Sequence, residues 1–476
     1  MTKKFIKLYR LILISAVALS LMLSAAAPAF ATEPPLAAQT DRAAETDRAA
    51  ITKLLQVPYG TAIPSAMSFA FEVAAVGVDG DPYDYSYDAG PPETETANMP
   101  TVGTPGSDPG VGTVTILFGG AQTLEDTVDG ISTYYLESAN IFAGVAWTRA
   151  GVYEYEITEN ETASYQAKAS PPPTEVLTYS DAVYTVYVYV KESALVPGTY
   201  EITHIGVLRT VDDEGDPIAE EDQEKVDPTP GGGTNGTDTW DYSQMTFTNS
   251  YYKTNGGTDP EDPNDWTLAV SKKVEGDFAD TSIYFNFSLT LTAPALVSGA
   301  PAYEAYVVEA DTSASTGYVF AGSEDNYSGI TDPGDPITFT SGSPVSFKLK
   351  HGQSLVFTDT PVGTTYAVSE TNVPTGYRAG AIVTYNGTPG AKELAGSAGA
   401  DLFLPHSGNT YYKSALYVGE AANSAAFLND RGTTTPAGIS IAKLPYYVMI
   451  GVVILIIVCF AIVRSRKYAR QADDAE

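Results

Sequence analysis

The sequence predicts an all-β protein, two β-sandwiches in tandem, set between an export signal and a C-terminal membrane helix. Three observations carry this. Tyrosine occurs 32 times alongside 42 Gly and 31 Pro, a mixture that favours strands and turns over helices. Apolar residues recur with period two in many short runs, each bounded by turn formers. The chain has 476 residues, 43% hydrophobic and 11% aromatic, which gives length and apolar content for two or three domains and argues against wholesale disorder. The formal charge of −32 disfavours binding to nucleic acid or to an anionic lipid surface. One Cys rules out an internal disulfide, a multi-thiolate zinc site and an iron–sulfur cluster. Three His leave little for histidine-based catalysis.

The N-terminus (1–31) reads as a signal peptide. Lys3, Lys4, Lys7 and Arg10 precede an apolar run from Leu11 to Leu23, and Ala29-Phe30-Ala31 places cleavage before Thr32. An uncleaved signal anchor is the alternative. Residues 32–48 read as a short helix or a mobile arm; a short duplication, Thr40–Ala44 and Thr46–Ala50, runs through its end and just beyond it. The first sandwich spans 49–252. Phe69, Phe71 and Val73 share one parity, as do Val114, Ile116 and Phe118, and then Tyr153, Tyr155 and Ile157. Tyr184, Val186, Val188 and Val190 occupy one face of a later strand. Such runs, separated by turns, make an Ig-like sandwich. Acidic Gly- and Pro-rich stretches at Asp79–Gly110 and Asp212–Asp241 interrupt it as loops or insertions.

Residues 253–265, rich in Gly, Pro and Asp, read as a linker free to extend. The second Ig-like sandwich spans 266–431, with Phe285, Phe287, Leu289 and Leu291, then Phe347 and Leu349, then Tyr366 and Val368 in period two. Residues 432–443 form a second short linker. Leu444 to Val463 is an uncharged run long enough to cross a bilayer as a helix. Arg464, Arg466, Lys467 and Arg470 follow, which puts the tail, 464–476, in the cytoplasm. Cys459 lies inside that run. Between the two ends, 18 basic residues face 55 acidic ones, so the exported part carries about −37, a charge that keeps it soluble and off the membrane surface.

One constellation repeats. The first domain opens with Ile51-Thr-Lys53-Leu-Leu55, later has Tyr153-Glu-Tyr155-Glu-Ile157-Thr-Glu159, and closes with Met245-Thr-Phe247-Thr-Asn249. The second opens with Leu268-Ala-Val270-Ser-Lys272-Lys-Val274, later has Tyr366-Ala-Val368-Ser-Glu370, and closes with Ala425-Ala-Phe427-Leu-Asn429. Each polar residue shares parity with its apolar neighbours, so strand alternation points a Lys, a Glu and an Asn into each core. Of the Lys272-Lys273 pair, parity selects Lys272. A buried unpaired charge is costly, and a single strand-edge Lys or Glu is ordinarily solvated. The same trio in the same order twice calls for another reading.

These motifs resemble the isopeptide-forming modules of Gram-positive surface proteins and pilins. The first domain resembles the streptococcal pilin isopeptide-linker domain, and the second the collagen-adhesin B-type domain. The resemblance covers about 49–252 and 266–431; the acidic insertions of the first domain and the Lys272-Lys273 pair depart from it. It implies that Lys53 joins Asn249 and Lys272 joins Asn429, with Glu159 and Glu370 as the catalytic acids. The chemistry is consistent with burial, which lowers the pKa of a Lys and raises that of a Glu. One proton shift then leaves a nucleophilic amine beside a proton-donating acid.

Other sites are weaker. Asp79-Gly-Asp81 and Asp259-Pro-Glu-Asp262 do not fit an EF-hand loop, and His204, His351 and His406 lack metal-ligand spacing. No metal site, no cofactor and no turnover of an external substrate are expected, only self-modification. A thioester adhesion domain would need an exported Cys. The expected function is a structural cell-surface stalk or adhesin-like protein of a Gram-positive bacterium, tethered to the cell membrane by its helix, its domains outside. The alternative is a pilin subunit polymerised or wall-anchored by sortase; no LPxTG motif occurs, and Thr435-Pro-Ala-Gly438 is at best a degenerate remnant. The membrane is the expected partner, a host or cell-surface ligand stays open, and nucleic acid is not expected.

Overall fold

The computed structural model describes residues 47–79, 81–82, 99–231, 234–235, 238–239, 241–313, 317–405, 415–432, 448–450 and 452–458. The signal peptide, nearly all of the arm, the 432–443 linker after its first residue and the tail lie outside the described residues. So do His406 and Cys459. Of the expected membrane span, 448–450 and 452–458 are helical with exposed side chains. Among the described residues no helix is long and apolar enough to cross a membrane.

The described residues are predominantly β-sheet, in two pairs of sheets and one small separate hairpin, Thr234–Asn235 with Asp238–Thr239. The first pair uses β1 (Thr52–Pro58), β2 (Ser68–Val78), β3 (Val111–Leu117), β4 (Thr123–Val128), β5 (Ile131–Glu137), β6 (Gly151–Glu159), β7 (Glu175–Thr178), β8 (Val183–Glu192), β9 (Tyr200–Val211), β10 (Glu224–Val226) and β11 (Thr246–Lys253). One sheet runs β4-β5-β1-β11-β7. The other runs β10-β9-β8-β6-β2-β3, with Thr104–Pro105 beyond β3 and Asp81–Pro82 beside β2. Alternation sets the inner faces: Leu55 and Val57 from β1 and Phe247 and Tyr251 from β11 meet Phe69, Phe71, Tyr155, Ile157, Tyr184 and Val186 from the opposite sheet in one core. Each aliphatic or Phe side chain among them contributes about 1.5–3 kcal/mol on leaving water.

The second pair repeats the plan. Its strands are β12 (Leu268–Glu275), β13 (Phe285–Thr292), β14 (Ala302–Ala310), β15 (Tyr318–Phe320), β16 (Ile337–Thr340), β17 (Pro344–Leu349), β18 (Gln353–Phe357), β19 (Thr365–Thr371), β20 (Arg378–Tyr385), β21 (Thr388–Leu394), β22 (Leu402–Leu404) and β23 (Ser424–Asp430). One sheet runs β15-β14-β18-β12-β23-β20-β21, with β16 beside β14. The other runs β17-β13-β19-β22, with Leu416–Tyr417 beside β19. A second core lies between them. In both pairs the first and last strands are neighbours and run parallel: β1 with β11, β12 with β23. Two parallel strands need a long crossover between them, and here the rest of the sandwich is that crossover.

Residues 253–265 are held, unlike the extensible linker that their composition suggests. Lys253 ends β11, Thr254 bridges to Pro361, and the Val362 N–H donates to the Lys253 carbonyl at 2.9 Å. The Lys253 ammonium pairs with Glu420 at 2.7 Å, and Tyr59 packs on Tyr417 with ring centroids 5.2 Å apart. Gly363 (φ +84°) lies so close to Pro58 that a Cβ there would come within 2.5 Å of the proline ring. The acidic residues act as caps. The Asp265 carboxylate accepts from the N–H groups of Thr258 and Asp259 and that of Glu261 from the Phe320 N–H, while the Glu261 backbone carbonyl accepts from the Tyr318 N–H.

Candidate functional site: two buried Lys–Glu–Asn clusters

The terminal strands bring Lys and Asn together by register. Lys53 lies opposite Phe247, and Asn249 is two residues further along β11. Lys272 lies opposite Phe427, and Asn429 is two residues further along β23. A two-residue step keeps a side chain on the same face, so each Lys and Asn are diagonal neighbours on the inner face of their sheet. The acid comes from the facing sheet. Glu159 ends β6 opposite Phe71, and Glu370 lies on β19 opposite Phe287. Lys53, Asn249, Lys272, Glu370 and Asn429 are all buried, and neither ion pair has exposed side-chain surface.

In the first cluster the carboxylate bridges the other two groups. Glu159 Oε2 accepts from Lys53 Nζ at 2.7 Å, and Oε1 from Asn249 Nδ2 at 2.9 Å. In the second, Glu370 Oε1 takes both, Lys272 Nζ at 2.7 Å and Asn429 Nδ2 at 2.6 Å. Glu370 Oε2 and Asn429 Oδ1 are left buried without a donor. Two orphaned acceptors in one cluster favour a proton on the carboxyl, since protonation turns an acceptor into a donor. Lys273, the neighbour passed over by parity, is exposed and pairs with Glu275 at 3.1 Å.

Burial dominates the electrostatics. Desolvation lowers the Lys53 pKa to about 8, against the pull of the nearby Glu159 and Asp213 charges. It lowers Lys272 to about 8, against Glu370. Desolvation also raises the pKa of Glu370, with Lys272 opposing. Both directions narrow the gap between the ion pair and the neutral amine–acid pair. Aromatic rings wall each amine: Lys53 Nζ lies 4.6 Å from the Phe69 ring centre and 5.8 Å from that of Phe71, and Lys272 Nζ lies 4.1 Å from Phe285 and 5.7 Å from Phe287. The ring before each Asn completes the wall, with Phe247 against Phe71 at 4.9 Å and Phe427 against Phe287 at 5.1 Å.

Sequence reasoning assigned these rings only to the core. The signal that could have found them is a Phe-x-Phe on the strand after each Lys strand. It also missed two loop residues, Ser180, which touches the first cluster, and Asp213, which holds Ser180 and the Thr248 N–H from behind. The Ser180 N–H donates to Asn249 Oδ1 at 2.7 Å and to Glu159 Oε2 at 3.2 Å. The two described histidines have structural partners: His351 Nδ1 accepts from the Val274 N–H at 2.9 Å, and His204 stacks on Tyr189.

Chemically, each cluster holds a nucleophile and a leaving group on one carboxyl. That carboxyl can take a proton from the amine and deliver one to the carboxamide nitrogen, at hydrogen-bond distance from both.

Residues 266–400 match a family model described as a domain of unknown function, DUF7601. No curated protein matches the chain. Among solved structures it is similar to the major pilin of Streptococcus pyogenes, at 18% identity over 81% of this chain and 99% of that one, with a TM-score of 0.28. It is similar to the T3.2 major pilin of the same organism, at 16% identity over 81% of this chain and 98% of that one, again with a TM-score of 0.28. The pilus-presented adhesin Spy0125 (Cpa) matches 53% of this chain and 36% of its own length at 16% identity, with a TM-score of 0.20.

Proposed function

We propose that this chain is a structural protein of the Gram-positive cell surface whose sandwiches each close one Lys–Asn isopeptide bond on themselves, Lys53 to Asn249 and Lys272 to Asn429. The observation that carries the reading is the repeated cluster: a buried Lys and Asn two register positions apart on parallel terminal strands, bridged by a buried Glu from the facing sheet. The neutral amine attacks the Asn Cγ. An Nζ–Cγ bond forms, the Cγ–Nδ2 bond breaks, and ammonia leaves. The Glu takes the proton shed by the amine and returns one to the departing nitrogen, so it ends as it began. The packed core supplies proximity in place of a cofactor. Each cluster reacts once, so the protein is a scaffold and turns over no substrate.

The apolar run 444–463 supports a single-pass membrane tether with the sandwiches outside. A sortase-assembled pilin is the competing arrangement: covalent ladders lost in sortase-null cells would favour it, and a single membrane-fraction band in both strains favours the tether. The chemistry is tested by Glu159→Ala and Glu370→Ala. Each variant should retain one ammonia more than the wild type while the other site still reacts. Unchanged mass loss would mean that other carboxyls do the work.

A further inference from the structure

Besides the way the carboxyl shares its two donors, the clusters differ at the oxygen of the reacting carboxamide. Asn429 Oδ1 is buried without a donor, whereas Asn249 Oδ1 accepts the Ser180 N–H at 2.7 Å. Attack by an amine on Cγ places negative charge on that oxygen, and a fixed backbone donor there stabilises the tetrahedral state. We propose that the Ser180 N–H is an oxyanion donor for closure of the first bond and that Asp213 is the positioning residue that sets it against Asn249. The proposal rests on the crosslinking reading above.

The positioning follows from what Asp213 holds. Its Oδ1 accepts from the Ser180 hydroxyl and, at 2.9 Å, from the N–H of Thr248, the residue before Asn249. One carboxylate oxygen thus ties the donor loop to the strand that carries the acceptor. The Asp213 backbone carbonyl takes the Asp181 N–H at 3.1 Å, and Arg209 Nη2 fixes Oδ2 at 2.7 Å. The Ser180 hydroxyl in turn accepts the Ala182 N–H at 3.2 Å. Asp213 stands in a turn closed by Asp212, whose carboxylate accepts the Asp216 N–H at 2.8 Å. The start of the acidic stretch 212–241 therefore buttresses the first cluster.

The test follows ammonia loss over time in freshly translated full-length chain, read site by site from peptide masses, with the Lys272–Asn429 site as an internal clock. Ser180→Pro deletes the N–H and should slow the first site about 100-fold, the scale of one oxyanion donor, while the second site keeps its rate. Asp213→Ala should slow the first site by a smaller factor in the same direction. If Ser180→Pro fails to fold, Asp213→Ala carries the test. Each variant is also melted in an unreactive Asn249→Ala background: the proposal expects the rate to fall with little change in that melting point. First-site rates equal to wild type in folded variants overturn it, as does slowing wholly accounted for by a lower melting point. Absence of ammonia loss at Lys53–Asn249 in the wild type removes the crosslinking reading, and this proposal with it. Loss in the wild type at equal rates in the variants removes the proposal alone.

Discussion

Replacing Asn429 by Ala removes the electrophile of the second sandwich and leaves the Lys272–Glu370 pair, 2.7 Å apart, in place. The cost then comes mainly from the lost covalent closure. Glu370 is 98 residues from Lys272 and 59 from Asn429, so the bond closes a loop of about 157 residues, which the loop-entropy relation for disulfides values at roughly 5 kcal/mol. For a domain of this size 1 kcal/mol moves the melting point by about 2–4 °C, so the second sandwich should melt roughly 10–20 °C lower. Glu370→Ala loses the same bond and also strands Lys272 in the core without its partner, which adds about 3–5 kcal/mol. The order of melting is therefore wild type above Asn429→Ala above Glu370→Ala. Scanning calorimetry with limited proteolysis, to assign each transition to its sandwich, measures it. If Asn429→Ala melts with the wild type, no covalent closure was present to lose and the reasoning fails.

Three further outcomes follow. The reactive amine–acid pair and the ion pair carry the same number of protons, so rate should be flat with pH until the pair loses its last proton. With Lys53 and Lys272 each held down to about 8, closure at both sites should slow above pH 8, by about tenfold per pH unit; on the acid side the raised Glu370 pKa should bring the fall at the second site above the ordinary carboxylate range. Peptide-resolved ammonia loss against pH checks this, and a rate that keeps climbing, as for a free amine, contradicts it. In a force-extension pull from Asp47 to Arg431 neither sandwich should open, because tension crosses from strand to strand through the side-chain amides; Asn249→Ala should release roughly 650–700 Å of contour, 196 residues at ~3.3–3.6 Å each. Lys253→Ala breaks the partly buried pair with Glu420 and should speed proteolysis within 254–265 while both crosslinks still form.

Strand alternation made the clusters legible. Lys53 could be buried only if Ile51 and Leu55 were, and all three are. What parity could not give was which strands are neighbours. The pairing of β1 with β11 and of β12 with β23 is a property of the whole chain path, and the shared two-residue offset appears only in the register. Ser180 and Asp213 left no trace because loop residues have no period. Asp213 also lies in a stretch whose acidity reads as solvation. The segment 253–265 misled for a related reason: the Asp, Pro and Gly that mark loose chain also build caps and tight turns. Here Asp265 and Glu261 spend their carboxylates on backbone N–H groups.

The central claim is that each cluster ends as an amide, and the mass of wild-type residues 32–443 tests it most directly. The account predicts a mass two ammonias below that of the unmodified sequence. Digestion should then yield two branched peptides, one joining Lys53 to Asn249 and the other Lys272 to Asn429. An unmodified mass, or ammonia loss mapped to other residues, would contradict it.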